Sequence, residues 1–322
     1  WDGSALRAGL AMGDQSCLDW DGLVIFANQE GLAPLLYDAL RSQHLATAPA
    51  AFVQALERSY QQTAVYNTLL SLALGDVLRW LAAARIPVIV LKGAALGETL
   101  YGNPALRPIA DIDLLLRPED VPATCRLLAE QGYYRFDQEP QAGLALAFEN
   151  EIVLRKPDSV PVTLELHWSL LDSPYYQRRL QLDWFWQTAR ALSVAGVESL
   201  VLGLEAEVLY LCAHLVLHHQ GQGWRWLMDI AGLAASEVEH LNWPLLLEKA
   251  QAYDLVTPLQ TVLPQLAADW GVPIPHPWLA AVQAVPVSPA EQRVAAWLLA
   301  EDRPVIRRFW VDLASLAGWR PR

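Results

Sequence analysis

The chain has 322 residues, of which 53% are hydrophobic and 18% are charged, and its formal net charge is −12. This composition is typical of a globular protein with a large core and excludes a disordered chain. Because nucleic-acid binding depends on basic side chains that neutralise phosphates, DNA and RNA are not expected partners. No apolar run is long enough to predict a membrane span. The amino end shows no secretory leader pattern, which favours a cytoplasmic location.

The first predicted region, residues 1–85, is helical. Apolar residues recur at helical spacing after Glu30, and residues 52–81 form a long run without proline. A short β-branched strand over residues 86–91 comes next and is followed by a short helix over residues 94–101.

Lys92 and Gly93 lie in the turn between this strand and this helix. The first N–H groups of a helix form an anion site, and a lysine there can reach a phosphate group. The alternative for Lys92 is a surface lysine whose stem lies along the strand end.

A second strand is predicted over residues 110–116 and carries Asp111 and Asp113. Asp is depleted in strands, and two on one face repel each other. Two residues span about 6.6 Å of extended chain, which lets both carboxylates hold one or two Mg²⁺ ions. The alternative is a pair satisfied by water or backbone donors. Arg107, shortly before the strand, contacts either a phosphate or Asp111.

A helix from Asp120 to Glu130 and a hairpin of residues 144–155 and 160–168 follow. In the second arm Glu165 and His167 alternate with apolar residues, so they share one face of the strand. Glu165 is a candidate general base or third metal ligand, or else an ordinary exposed glutamate. His167 assists it or packs in the core.

Everything beyond Pro174 is predicted to be helical. The expected helices span residues 176–191, 205–220, 226–236, 243–253, 258–270 and 289–299. His214, His218 and His219 either pack between helices or bind zinc together with Asp229. Two tryptophans, Trp224 and Trp226, belong to the core or a cleft wall, or stack on a base.

Three segments together carry a family resemblance: Leu91-Lys-Gly-x-x-Leu96, Arg107-Pro-x-x-Asp-Ile-Asp-Leu-Leu-Leu116 and Glu165-Leu-His-Trp168. They resemble the uncharacterised bacterial nucleotidyltransferases related to the polymerase-beta-like superfamily. In that superfamily a Gly-Ser turn precedes an acidic pair, and a third acid from a later strand joins the pair to bind Mg²⁺. The resemblance implies these roles for Gly93, Asp111, Asp113 and Glu165. Lys92-Gly93 stands where most members have Gly-Ser.

The expected fold class is therefore α+β. A small mixed sheet forms a nucleotidyltransferase core over residues 86–172, between a helical region of residues 1–85 and a helical domain of residues 173–322.

The expected reaction moves a nucleoside monophosphate from an NTP, with ATP as the expected donor, to a small-molecule or protein acceptor. Asp111, Asp113 and Glu165 are the expected catalytic and metal-binding residues, for Mg²⁺ or Mn²⁺. The expected nucleotide-binding residues are Lys92, Gly93, Arg107 and His167. Two alternatives are a binding or regulatory protein of the same fold without turnover, and a helical scaffold with an incidental acidic strand.

Overall fold

The computed structural model describes residues 18–42, 48–136, 149–157 and 161–299. The amino-terminal part is helical, as predicted, with α1 at Trp20–Gln29, α2 at Ala33–Ser42 and α3 at Ala50–Ala83. The long helix α3 contains 34 residues, no proline and a single glycine, Gly75, so little in its sequence interrupts helical hydrogen bonding. Over the described residues, none of the helices combines the length and the apolar character that crossing a membrane requires.

A mixed sheet of seven strands lies at the centre of the described chain, which confirms the predicted α+β class. The strands are β1 at Ile89–Val90, β2 at Ile112–Leu115, β3 at Tyr134–Arg135, β4 at Glu151–Lys156, β5 at Val162–His167, β6 at Arg190–Val194 and β7 at Val197–Val201. Their order across the sheet is β3-β4-β5-β2-β1-β7-β6. Strand β2 pairs parallel with β5, β1 pairs parallel with β7, and the other pairs are antiparallel.

Strand β2 occupies the middle of the sheet, and all four of its residues are buried. Ile112 and Leu114 face a core formed with α3, whereas Leu115 faces a second core formed by the carboxyl-terminal helices. Because side chains alternate along a strand, Asp113 shares the face of Leu115. The strand is shorter than predicted, and Asp111 lies directly before it.

Residues 190–201 form a β-hairpin, so the prediction that everything after Pro174 is helical is wrong there. The predicted helix over residues 176–191 is replaced by two short helices, α6 at Pro174–Gln177 and α7 at Leu182–Gln187. Ala195 and Gly196 form the turn with φ angles of 51° and 74°, a left-handed pair that suits a two-residue hairpin. Hydrogen bonds between β7 and β1 stabilise this segment as a strand and outweigh its local preference for helix.

Six longer helices cover one face of the sheet: α8 at Leu204–Leu217, α9 at Trp224–Ser236, α10 at Trp243–Ala252, α11 at Val256–Trp270, α12 at His276–Ala284 and α13 at Pro289–Leu298. Five of them were predicted, and α12 was not. Nearly every residue of α8 is buried, because this helix lies between the sheet and its neighbours. The division of the chain after residues 85 and 172 stays a prediction; the sheet takes strands from both sides of residue 172.

Two more of the predicted elements agree with the structure where it describes them. Helix α5, which follows β2 in the chain, spans Val121–Glu130, although the side chain of Asp120 makes no capping hydrogen bond. Strands β4 and β5 form the predicted hairpin. Residues 144–148 of its first arm and residues 158–160 near its turn lie outside the described residues.

Candidate active site

A cluster of two carboxylates and one imidazole lies on the sheet face that the carboxyl-terminal helices cover. The parallel register of β2 and β5 places Asp113 beside Glu165, and His167 lies two residues further along β5. One ligand atom from each of these three side chains lies within 4.8 Å of the others. This is the group among the described residues that could hold a metal ion. Asp113 and Glu165 are metal ligands expected from the sequence, whereas His167 was expected to bind nucleotide.

Lys92 is the cationic partner of this cluster. It follows β1, begins the short helix α4 at Lys92–Leu96 and has a φ of 47°. Its Nζ donates a hydrogen bond to Asp113 Oδ1 at 2.6 Å and lies 3.9 Å from Glu165 Oε2. Burial would lower the pKa of Lys92, but its interactions with Tyr210 and with the Asp113 carboxylate raise it above its ordinary value. Lys92 is therefore a buried ammonium group that neutralises Asp113.

His167 links three carboxylates. Its Nε2 lies 2.9 Å from Asp113 Oδ1 and 3.5 Å from Glu165 Oε2, while its Nδ1 lies 2.8 Å from Glu151 Oε2. Burial would lower the pKa of His167, but hydrogen bonds to these three acids raise it to about 10. Burial would likewise raise the pKa of Asp113, yet Lys92 and His167 hold it well below its usual range. At neutral pH the cluster therefore holds an imidazolium and an ionised Asp113.

Asp111 lies beside the cluster, directly before β2. Burial and the negative charges of Asp113 and Glu165 raise the pKa of Asp111 to about 6, against the opposing charges of Lys92 and Arg225. Asp111 does not belong to the group of potential metal ligands found among the described residues. It nevertheless adds negative charge to a site that a cation would stabilise.

The charges of the site are unbalanced. Four carboxylates, those of Asp111, Asp113, Glu151 and Glu165, act on each other and on two cations, Lys92 and His167. With all six groups ionised, the excess is two negative charges, and Arg225, which also acts on Asp111, offsets one of them. A divalent cation would oppose the negative charge that remains.

Arg107 lies outside this cluster and is saturated by another acid. Its guanidinium forks onto Asp229 of α9, with Nε donating to Oδ1 at 2.9 Å and Nη2 donating to Oδ2 at 2.7 Å. Tyr101 also donates to Asp229 Oδ1 at 2.7 Å. Arg107 is 4% exposed and Asp229 is fully buried, so this pair connects the loop before β2 to the helical layer. It contrasts with the expected contacts of Arg107 to a phosphate or to Asp111.

Gly93 has a packing reason to be glycine. A Cβ at this position would lie 2.4 Å from Arg107 Nη1 and 3.3 Å from Ile109 Cγ1. The arginine therefore crosses directly over the backbone of the turn, and a side chain at residue 93 would displace it.

The three histidines near the carboxyl end of α8 pack against each other and against Trp226. His214 and His218 stack with ring centroids 4.9 Å apart, and His219 Nε2 lies 3.1 Å from His214 Nε2. Burial lowers the pKa of His214, and lowers that of His219 to about 4. Since Arg107 and Tyr101 occupy the Asp229 carboxylate, the described residues favour packing over the zinc site considered from the sequence.

Sequence reasoning missed three residues that the fold brings to this site: Glu151, Tyr210 and Arg225. The pairing of Glu151 with His167 across β4 and β5 was available from a hairpin register. Tyr210 has the sequence context of a core residue of α8. For Arg225, 114 residues beyond Asp111, no local signal indicated proximity to the acids.

The chain is similar in sequence to a protein family and, more distantly, in structure to a solved protein. Residues 16–270 match the model of a protein family described as uncharacterised nucleotidyltransferase. A crystal structure of an antigenic nucleotidyltransferase-like protein from Paracoccidioides brasiliensis aligns with a TM-score of 0.40 and 16% sequence identity, over 71% of this chain and 96% of that chain. No curated protein matches the sequence.

Proposed function

Because the chain belongs to the family of uncharacterised nucleotidyltransferases, we propose that it transfers a nucleoside monophosphate from a nucleoside triphosphate to an acceptor. The proposed donor is ATP, and the proposed acceptor is a small molecule or a protein side chain. The observation that supports this function best is the in-register pair of Asp113 and Glu165 on parallel strands, with His167 beside them. We also keep the three-part division of the chain after residues 85 and 172 as a proposal.

The residues fit a divalent metal ion. Two carboxylate oxygens and a ring nitrogen lie within 4.8 Å of each other, and when all groups are ionised the four carboxylates of the site outnumber its cations Lys92, His167 and Arg225. Oxygen ligands suit Mg²⁺. The His167 ring would join them, as suits Mn²⁺, only after releasing the proton that it holds at neutral pH. Held by Asp113 and Glu165, with Asp111 beside them, such an ion would supply positive charge that stabilises the phosphates during transfer.

The proposed reaction is a displacement at phosphorus. The acceptor oxygen or nitrogen forms a bond to the α-phosphorus, the bond from that phosphorus to the α–β bridging oxygen breaks, and pyrophosphate leaves. The acceptor's proton passes to a carboxylate of the site. Glu165 is the candidate base because its side chain is 21% exposed, against 2% for Asp113. Lys92 and His167 keep Asp113 ionised throughout.

One observation favours the second candidate, a nucleotide-binding or regulatory protein without turnover. Asp113 accepts hydrogen bonds from both Lys92 and His167, so its charge is already balanced inside the protein. Such a protein would bind a nucleotide without a requirement for a divalent cation.

Thermal melting with ATP, GTP, CTP or UTP, each with and without MgCl₂, tests the proposal without knowledge of the acceptor. A ligand that binds only the folded state stabilises it by about 2.7 kcal/mol at a hundred times its Kd. We expect a Mg²⁺-dependent rise in Tm for one nucleotide. A rise in Tm that does not depend on Mg²⁺ supports the second candidate. The absence of any rise in Tm with all four nucleotides contradicts both candidate functions.

Glu165→Gln is the variant of choice, with Asp76→Asn as its control. Asp113→Asn would leave Lys92 and His167 buried without their shared partner, a loss of about 3 to 5 kcal/mol that confounds a melting experiment. Glu165 is more exposed, and Asp76 is an exposed acid on α3 that pairs with Arg79. The Mg²⁺-dependent rise should be lost in Glu165→Gln and kept in Asp76→Asn.

A further inference from the structure

Two of the cations that act on the acidic site are already engaged by protein carboxylates. Lys92 Nζ lies 2.6 Å from Asp113 Oδ1, and Arg107 Nη2 lies 2.7 Å from Asp229 Oδ2. Both pairs are buried. Releasing either cation to a ligand would take a charged partner from a buried carboxylate, which is costly. The donor phosphates therefore need another cationic partner.

Arg225, in the first turn of α9, differs from both. Within the described chain it forms no ion pair shorter than 4.0 Å, and its buried Nε has no hydrogen-bond partner. The side chain is half-buried. A guanidinium taken partly out of water without an acceptor costs free energy that an incoming anion would recover.

The side chain of Arg225 is held by packing rather than by ion pairs. A Cβ added at Gly31 would lie 3.1 Å from Arg225 Cδ, so the arginine stem lies against this turn between α1 and α2. Its guanidinium carbon is 5.5 Å from the centre of the Trp226 ring, and that of Arg107 is 5.4 Å from the same ring. These contacts hold the guanidinium in place before any ligand arrives, which lowers the entropy lost on binding.

Three acids, Asp229, Asp111 and Glu30, lie close enough to Arg225 for their charges to act on it, and Asp229 is already engaged by Arg107. Glu30 is engaged on α9, where its Oε2 accepts a hydrogen bond from the backbone N–H of Trp224 at 2.9 Å. None of these acids makes an ion pair with Arg225 within 4.0 Å. The arginine thus lies within range of the Asp111 charge, and its buried Nε is without an acceptor in the described chain.

We propose that Arg225 binds the phosphate groups of the nucleoside triphosphate donor. The inference rests on the proposed function and adds to it the residue that holds the polyanion. A guanidinium matches phosphate oxygens with several parallel N–H donors. It would also offset the repulsion between the phosphates and the carboxylates of Asp111 and Glu30.

Isothermal titration calorimetry with Mg²⁺ and the nucleotide identified by melting tests this inference. We expect Arg225→Gln to weaken the affinity by about tenfold to a hundredfold, as the loss of a charged hydrogen bond implies. Arg225→Lys should retain part of that affinity. Glu30→Gln removes a repulsive charge and should strengthen binding. The control is Arg79→Gln. Arg79 lies on α3 with a 57% exposed side chain, and this variant should bind the nucleotide with wild-type affinity.

The outcomes separate the inference from the proposed function. Wild-type affinity in Arg225→Gln, with Mg²⁺-dependent binding lost in Glu165→Gln, overturns the role of Arg225 and leaves the proposed function standing. No triphosphate binding by the wild type overturns both. If Arg225→Gln lowers both Tm and affinity, and Arg225→Lys lowers Tm by the same amount, Arg225 has a structural role and the inference is overturned. Unchanged Tm with weakened binding supports it.

Discussion

Replacing Glu207 with glutamine should stabilise the protein increasingly as pH rises. Glu207 lies in α8 and is 1% exposed, and within the described chain neither of its carboxylate oxygens has a hydrogen-bond partner. Burial raises its pKa from 4.5 to about 8, while Arg190 opposes the shift. The folded protein therefore holds a proton on Glu207 that the unfolded chain releases.

The expected magnitude follows from this shift. Below pH 4.5 both states bind the proton and Glu207 causes no penalty. Between pH 4.5 and 8 only the folded state binds it, so the free energy of unfolding falls by about 1.4 kcal/mol per pH unit. The loss is complete above pH 8 and amounts to at most about 5 kcal/mol. Glu207→Gln removes the titration and hence the slope.

Urea unfolding of the wild type and of Glu207→Gln at intervals from pH 5 to pH 8.5 measures this effect. The difference in unfolding free energy between the two proteins should grow in favour of the variant with each pH unit. Glu198→Gln, an exposed position on β7, is the matched control and should follow the wild type. Parallel pH profiles for the wild type and Glu207→Gln would refute the reasoning, because they would mean that Glu207 titrates alike in both states.

Three further substitutions test the supports around the acidic site. Asp229→Asn should lower stability by about 3 to 5 kcal/mol, because it leaves Arg107 buried without its countercharge; a Tm within 2 °C of wild type would contradict this. Gly93→Ala should lower the free energy of unfolding in urea by about 1 to 3 kcal/mol, since its Cβ meets Arg107 Nη1. In the control Gly102→Ala the Cβ meets nothing within 4 Å, so the only destabilisation comes from the positive φ of this residue. Asn67→Ala removes hydrogen bonds to Arg107 O and from Ile109 N and should cost about 2 to 4 kcal/mol; melting curves that superimpose on wild type would exclude that role.

Local sequence patterns were sufficient for much of the fold. The long helix α3 follows from an uninterrupted run of helix formers. The alternation in β5 correctly placed Glu165 and His167 on one face. These features depend on residues that are close together in the chain.

The contacts that were missed join distant segments. Asp229 lies 122 residues from Arg107, and neither position shows its partner locally. The β6–β7 hairpin was missed because part of its stabilisation comes from β1, more than a hundred residues earlier. The role of His167 depends on Glu151 across the hairpin, so its charge could not be read from β5 alone. Tertiary pairing outweighs local preference at each of these points.

The parallel pairing of β1 with β7 sets an order for synthesis on the ribosome. Ile89 pairs with Leu200, which is 200 − 89 = 111 residues later in the chain. At about 5 to 20 residues per second, β1 waits on the order of 10 s for its second neighbour. Throughout that interval one edge of the nascent sheet remains open to other chains. Slow translation or crowded polysomes should therefore favour aggregation of this protein before release, and a chaperone that covers strand edges should improve its yield.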